Sequence, residues 1–380
     1  MKQLFARSLA AAPGRLHLAA HSHHLWPDAS HDGQVECWTD AARLADRKWN
    51  RIMGEVWPEA QGHVAAEIGT NDPSAIVFAS NTHDLLIRLA AACPRRQGTP
   101  LRILTTDGEF HSARRQLARW EESGEAVVTR IAVGPELVDR LIAEAQNHDL
   151  VFVSQLMFGT GMLIDITDLA ALGRPEGPWV VIDGYHSFMA VDCPFPATRG
   201  DTAFFLAGGY KYAMAGEGCA FMHCPPGFGA RPPITGWYAE FDELDLPPGH
   251  VGYAPDAMRF MGATFDASGL YRFNAIQRML AAEGLTTAAI SGQVARLHEQ
   301  LLAAIGDTPL ANADLLNPLD GGPHARFLAF RSPNAAGWCE QLGHEGCITD
   351  VRGDVLRIGL GLYHDEADIA AFARLAKALR

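Results

Sequence analysis

The sequence predicts an α/β protein: a large domain on a seven-stranded, mostly parallel sheet, followed by a small α+β domain at the C-terminal end. Three observations carry this. Short β-branched or aromatic runs alternate with amphipathic helical segments as far as residue 223. A Pro/Gly-rich stretch from Cys224 to about Pro255 then interrupts the rhythm. From Ser268 onward the pattern changes to long helices with two late strands.

The seven runs are AIVFA (75–79), RILTT (102–106), AVVTRIA (126–132), LVFVS (150–154), WVVID (179–183), TAFFLA (202–207) and CAFMH (219–223). Segments such as HSARRQLARWEES (111–123) and PELVDRLIAEAQ (135–146) fill the gaps with helical periodicity. A strand-then-helix alternation of this kind implies parallel strands covered on both faces. The last gap, 208–218, is Gly-rich and too short for a crossover, so the final strands are expected to pair differently. Beyond Ser268 we read two long helices, strands at RFLAFRS (326–332) and VLRIGL (355–360), and a terminal helix from Asp365. The expected organisation is an N-terminal segment (1–30), a large domain (31–267) and a small domain (268–380).

Composition narrows the function. The 380 residues are 48% hydrophobic and 20% charged, the profile of an ordinary globular chain, and the net charge of −13 disfavours nucleic acid or an anionic membrane as partner. No uninterrupted run of 18 apolar residues exists, and the N-terminal stretch carries an Arg inside its apolar part; no membrane span or secretory signal is expected. Seven cysteines without a CxxC signal neither a disulfide framework nor a zinc site, which fits a reducing cytoplasm. His21, His23 and His24 cluster in one turn, but no acidic or Cys ligand lies beside them, and a metal is not expected.

Only four of the 31 basic residues are lysines, and one of them is out of place. Lys2, Lys48 and Lys377 read as solvated charges. Lys211 sits in FFLAGGYKYAMAGEGCAF, between two apolar strands, with no acid until Glu217. Either its stem lies on apolar surface with the head in water, or it is a desolvated, nucleophilic amine flanked by small residues that admit a planar cofactor. Asp183 ends a buried strand at the carboxyl edge where open α/β sheets bind ligands. It could cap the next turn, or serve as the carboxylate that keeps the ring nitrogen of pyridoxal 5'-phosphate (PLP) protonated. In AIVFASNTHDLL, Asn81 is a plausible helix N-cap, and the free N–H groups of such a helix start suit a phosphate.

Taken in order, these pieces resemble the fold type I PLP enzymes of the class V aminotransferase family, and most of all the kynureninase branch. The resemblance runs over nearly the whole chain. AAHSHHLWP (19–27) resembles the N-terminal GNSLGLxP turn, which implies Ser22 at the substrate. SNTHDL resembles the phosphate-binding turn, which implies phosphate contacts from Asn81 and Thr82. GEFHS (108–112) implies Phe110 stacked on the cofactor ring, and DGYHS, similar to D-x-A-H-S, implies cofactor contacts from Asp183 and His186. GGYKY resembles the S-Y-K-Y motif, making Lys211 the residue that holds the cofactor covalently and Tyr210 its neighbour at the phosphate and in proton transfer. RFMGATF (259–265) resembles a segment that reaches the partner subunit's phosphate through its Thr, here Thr264, so a homodimer with shared sites is implied.

At the substrate end, VLRIGLGLYHDEADI (355–369) resembles the segment whose Arg binds the substrate α-carboxylate, which implies Arg357, with Arg352 next in line. Two departures stand out. GWYAE (236–240) resembles G-W-x-G-H, implying Trp237 at the cofactor but placing Glu240 where the family has His. Met157 stands for the Asn of the V-N-Y stretch, and both changes are expected near the substrate. The implied function is a PLP-dependent, kynureninase-like hydrolysis of a Cβ–Cγ bond in an α-amino acid. The alternatives are amino-group transfer to a keto acid, another PLP lyase chemistry, or a PLP-fold binding protein without turnover. Cysteine desulfuration is disfavoured, because the one cysteine near the expected loop, Cys347, reads as the start of a strand.

Overall fold

The computed structural model describes residues 1–95, 97–195, 199–243, 247 and 249–380, with Asp242 and Glu243 described by backbone alone. All seven expected strands of the large sheet form, each within one residue of its predicted ends: β1 (Ile76–Ala79), β2 (Leu101–Thr106), β3 (Ala126–Ile131), β4 (Leu150–Ser154), β5 (Trp179–Asp183), β6 (Ala203–Gly208) and β7 (Ala220–His223). Their order across the sheet is β1-β7-β6-β5-β4-β2-β3. Every neighbouring pair is parallel except those made by β7, which runs antiparallel to both β1 and β6. The short 208–218 connection explains the reversal, since it can turn the chain back but cannot carry it across the sheet.

The central strands β4 and β6 are buried along their whole length, and β5 at all but its last residue, Asp183. Helices α1 (Asp28–Leu44), α2 (Trp57–Ile68), α3 (Thr82–Ala92), α4 (His111–Glu122) and α5 (Leu137–Ala145) belong to this part of the chain, and α3 to α5 follow β1 to β3 in turn. The C-terminal sheet is antiparallel, in the order β10-β11-β9-β8, from β8 (Asp314–Leu315), β9 (Phe327–Arg331), β10 (Asp350–Arg352) and β11 (Val355–Gly359). It is accompanied by α6 (Ser268–Ala282), α7 (Thr287–Ala304), α8 (Ala335–His344) and α9 (Glu366–Ala376), the last capped by Asp365 in a reciprocal capping box with Asp368.

Two principal cores result, one about the large sheet and one between α7 to α9 and the small sheet. The N-terminal segment joins them. Leu16–His17 pairs in parallel with Cys347–Ile348, Ala19 bridges Gly359 at the end of β11, and Leu18 enters the smaller core while Ala20 and Leu25 enter the larger. Its turn, residues 19–24, is thereby held where the two cores meet.

Candidate active site

The carboxyl ends of β1, β2, β4 and β5 and the loop after β6 open onto one cavity of about 1540 Å³. This is where an open α/β sheet leaves a crevice for a ligand. Lys211 stands in it with little exposed surface, its Nζ 2.6 Å from His186 Nε2 and 4.9 Å from the Tyr185 ring centre. The Phe110 ring lies 5.6 Å from the same nitrogen and that of Tyr210 5.5 Å. The two glycines before Tyr210 make this possible: a Cβ at Gly208 would overlap the Tyr185 hydroxyl, and one at Gly209 the Gly216 carbonyl. Burial pulls the amine down to about 7, although the Asp183 charge works to hold it up. Near neutral pH a good fraction of Lys211 is therefore a free nucleophile.

Asp183 closes β5 with Oδ1 accepting from the Tyr185 N–H (2.9 Å), and burial pushes its carboxyl up against the opposing pull of Lys211. A cation set against this group restores its charge. His186 uses Nε2 for Lys211, while its buried Nδ1 has no partner among the described residues; burial and the Lys211 charge keep the ring neutral. Phe110 is the N-cap residue of α4 and meets the Phe158 ring edge-on at 5.3 Å. Asn81 caps α3, its Oδ1 accepting from the Asp84 N–H at 2.9 Å, and Thr82 is the first helical residue. The first N–H groups of that helix lack intrahelical acceptors and sit on the cavity wall. The Tyr210 ring lies between Tyr185 (4.8 Å) and His23 (4.9 Å), and burial raises its phenol to about 12, so it stays protonated.

Seven of the residues named from sequence thus share the cavity: Asn81, Thr82, Phe110, Asp183, His186, Tyr210 and Lys211. Four lie elsewhere. Ser22 sits in the N-terminal turn, its N–H bonded to Ala19 O. Trp237 and Thr264 lie outside on the surface, joined by a Trp237 Nε1 to Thr264 Oγ1 contact of 3.3 Å. Arg357 is buried behind the wall: Nη2 donates to Asp350 Oδ2 (2.7 Å) and Nη1 to the carbonyl of Phe158, so its fork is already engaged. Arg352 takes the other oxygen of Asp350 at 2.7 Å. Neither substituted position faces the cavity. Met157 is buried in its own turn, and Glu240 accepts from the Gly252 N–H instead.

One group escaped the sequence reading. Glu109 is fully buried and accepts from Ser154 N–H (3.1 Å), Ser154 Oγ (2.6 Å) and Thr106 Oγ1 (2.7 Å), tying the ends of β2 and β4 together beside Phe110. Burial, with a contribution from Asp183, pushes it up to about 7. Its only signal in the sequence is an acid wedged between an apolar strand and a helix.

A buried amine and an acid in one cavity, an aromatic ring beside the amine, a histidine with a spare nitrogen and an open helix N-terminus fit a planar pyridine aldehyde with a phosphate tail. With the sheet order, they define a fold type I PLP-dependent enzyme. The family model for class V aminotransferases matches residues 45–320, and the chain belongs to that family. PLP is its cofactor.

Among curated relatives, an isopenicillin N epimerase of Streptomyces clavuligerus is 27% identical over 230 residues, 54% of either chain. A kynureninase of Geobacillus thermodenitrificans is 24% identical over 191 residues, 47% of this chain and 44% of its own. The matches thus span about half the length of these relatives. Among solved structures, a cysteine desulfurase from Thermococcus onnurineus NA1 superposes with a TM-score of 0.81 over 99% of this chain and 97% of its own, at 17% identity. A cystine C–S lyase gives 0.78 over 97% and 99%, at 16%. These likenesses show the fold.

Proposed function

We propose that the protein acts on an α-amino acid and hydrolyses its Cβ–Cγ bond in the manner of a kynureninase. The observation that carries the amino-acid reading is the buried Lys211 amine, lowered to about 7, in one cavity with Asp183. When bound, PLP supplies an electron sink for bonds to the substrate Cα. Lys211 would hold it covalently, Asp183 would keep its ring nitrogen protonated, Phe110 would lie against the ring, and the Asn81–Thr82 turn would take the phosphate. The Lys211 amine would also be the base that removes and returns the Cα proton. Tyr210, held protonated, would deliver a proton to Cβ as the Cγ acyl group leaves with the oxygen of water as a carboxylic acid.

Similarity to curated kynureninases supports the cleavage chemistry. Among the described residues no cysteine lines the cavity, and Cys347 is a buried strand residue whose thiol is pushed up to about 12, which speaks against desulfuration. The second reading is amino-group transfer to a keto acid, favoured by the absence of Met157 and Glu240 from the cavity lining, since it requires no dedicated cleavage group. We also infer a homodimer in which the exposed Trp237–Thr264 pair completes the neighbouring phosphate site, and a reducing compartment for seven free cysteines. Among the described residues no helix is long and apolar enough to cross a membrane.

Product analysis by mass spectrometry with L-kynurenine, 3-hydroxykynurenine and an amino-acid panel, with and without a keto acid, tests the reaction. Anthranilate plus alanine is the expected result. Acceptor-dependent keto acid without anthranilate transfers the assignment to the aminotransferase.

A further inference from the structure

The cavity extends well past its reacting centre. Pockets that enclose a drug-sized ligand run from about 300 to 1,000 Å³, and this one reaches about 1540 Å³. The surplus lies along α4, beyond Phe110. That helix turns Ala113 and Leu117 inward, and positions 111, 114, 115, 118, 119 and 122, spaced by helical turns, form the opposite face and line the cavity. Three of these six are arginines, Arg114, Arg115 and Arg119, and Arg130 of β3 joins them on the lining.

With 44 acidic residues against 31 basic ones, an arginine of this chain readily finds a counter-charge, as Arg51 does in Glu36 and Arg278 in Glu59. Two arginines of the lining follow that habit: Arg119 stands 4.0 Å from Glu122, and Arg130 bonds Glu121 at 2.5 Å. Arg114 and Arg115 do not. Both are exposed, and neither has an acidic partner among the described residues. The other acids on the lining are engaged away from them: Asp107 accepts from the Val133 N–H (3.0 Å), Asp183 from the Tyr185 N–H (2.9 Å), and Glu217 faces His23 at 3.8 Å. Two guanidinium forks thus stand open in the cavity that holds the Lys211 amine. They follow Phe110 by four and five residues, about 6 to 7.5 Å along the helix axis, and the Arg114 N–H bonds the Phe110 carbonyl at 3.0 Å. A planar fork of five donors meets a carboxylate in bidentate fashion, so the group these residues suit is an acid.

We propose that Arg114 and Arg115 are specificity-determining residues that select a substrate whose side chain ends in an acidic group, received by their guanidinium forks in the outer stretch of the cavity. The proposal rests on the amino-acid reading above and on neither choice of reaction. It ranks an acidic side chain above a neutral one of the same length, whichever bond is then broken.

The test is spectral titration of the holoenzyme with L-glutamate and with L-glutamine, which has the same shape without the charge. Wild type should bind L-glutamate more tightly, and in Arg114→Gln/Arg115→Gln that preference, read as the ratio of the two Kd values, should shrink roughly three- to thirtyfold. Because both arginines are exposed, the wild-type preference should also weaken as salt rises from about 0.05 to 0.5 M, and the variant should show little of this dependence. Gln is a good helix former at exposed positions, so the variant should fold, and the salt dependence of the wild type decides alone should it not. A wild type without the preference, a preference that ignores salt, or a variant in which both ligands weaken equally overturns the assignment. So does a variant that sediments as a smaller species than wild type, which would make this face a subunit contact. A wild type that responds to no α-amino acid overturns this proposal together with the amino-acid reading. One that responds but forms no anthranilate overturns the cleavage chemistry alone.

Discussion

The two sides of the site are built by different means. The large-domain wall takes its groups from the ends of strands, where Asp183 closes β5, Phe110 precedes α4 and Lys211 follows β6, each placed by its own local sequence. The small-domain side is built from pairings between distant segments: Asp350 meets Arg357 through strand register, and His21 arrives by docking of the N-terminal turn on β11. Groups on the wall line the cavity around Lys211, whereas the far side holds a buried Asp350–Arg357 pair that, on the proposed function, the substrate carboxylate would join. Changes to the wall should therefore act on kcat, and changes to the far side on KM.

The largest effect should come from Asp183→Asn. Without its charge the ring nitrogen loses its proton, and kcat should fall by orders of magnitude while cofactor still binds and KM changes little. Unchanged turnover would remove Asp183 from the wall. Arg357→Ala should do the reverse, raising KM about tenfold or more through loss of a charged hydrogen bond of roughly 1.5–3 kcal/mol. It also leaves Asp350 buried beside Arg352 alone, so Tm should drop. A kcat loss at constant KM would place Arg357 with the wall instead.

Two pH measurements sharpen the comparison further. Cofactor uptake by the apoprotein needs the neutral Lys211 amine, so its rate should climb with pH through about 7 and level off above. A climb centred near the ordinary lysine value contradicts the burial argument. The smallest effect concerns Glu109, whose folded value of about 7 lies above the usual glutamate value of about 4.3. The native state then binds the extra proton in that window, so this contribution is fully present below about 4.3 and lost as pH rises through 7. Glu109→Gln should flatten the urea midpoint between those limits, and an unaltered slope would contradict it.

This division also marks what could be read from sequence. The place of Lys211 was legible because the apolar strands on either side fix the loop between them, although its local sequence also allowed a head in water, and that of Asp183 because a strand end fixes its edge of the sheet. The reversal of β7 followed from loop length. Arg357 could be named by resemblance, but its engagement by Asp350 depends on a register that no local pattern states. Glu109 and the burial of His21 depend on side chains meeting across strands 45 residues apart for Glu109 and Ser154, and across the chain for His21 and Gly359. Periodicity reports which face a residue takes and is silent on such partners.

The central claim is that Lys211 carries the cofactor. Borohydride reduction of the holoenzyme followed by peptide mapping tests it most directly. A stable cofactor adduct should appear on the peptide containing Lys211, and Lys211→Ala should abolish it. An adduct on Lys48, or one that survives in Lys211→Ala, would contradict the account.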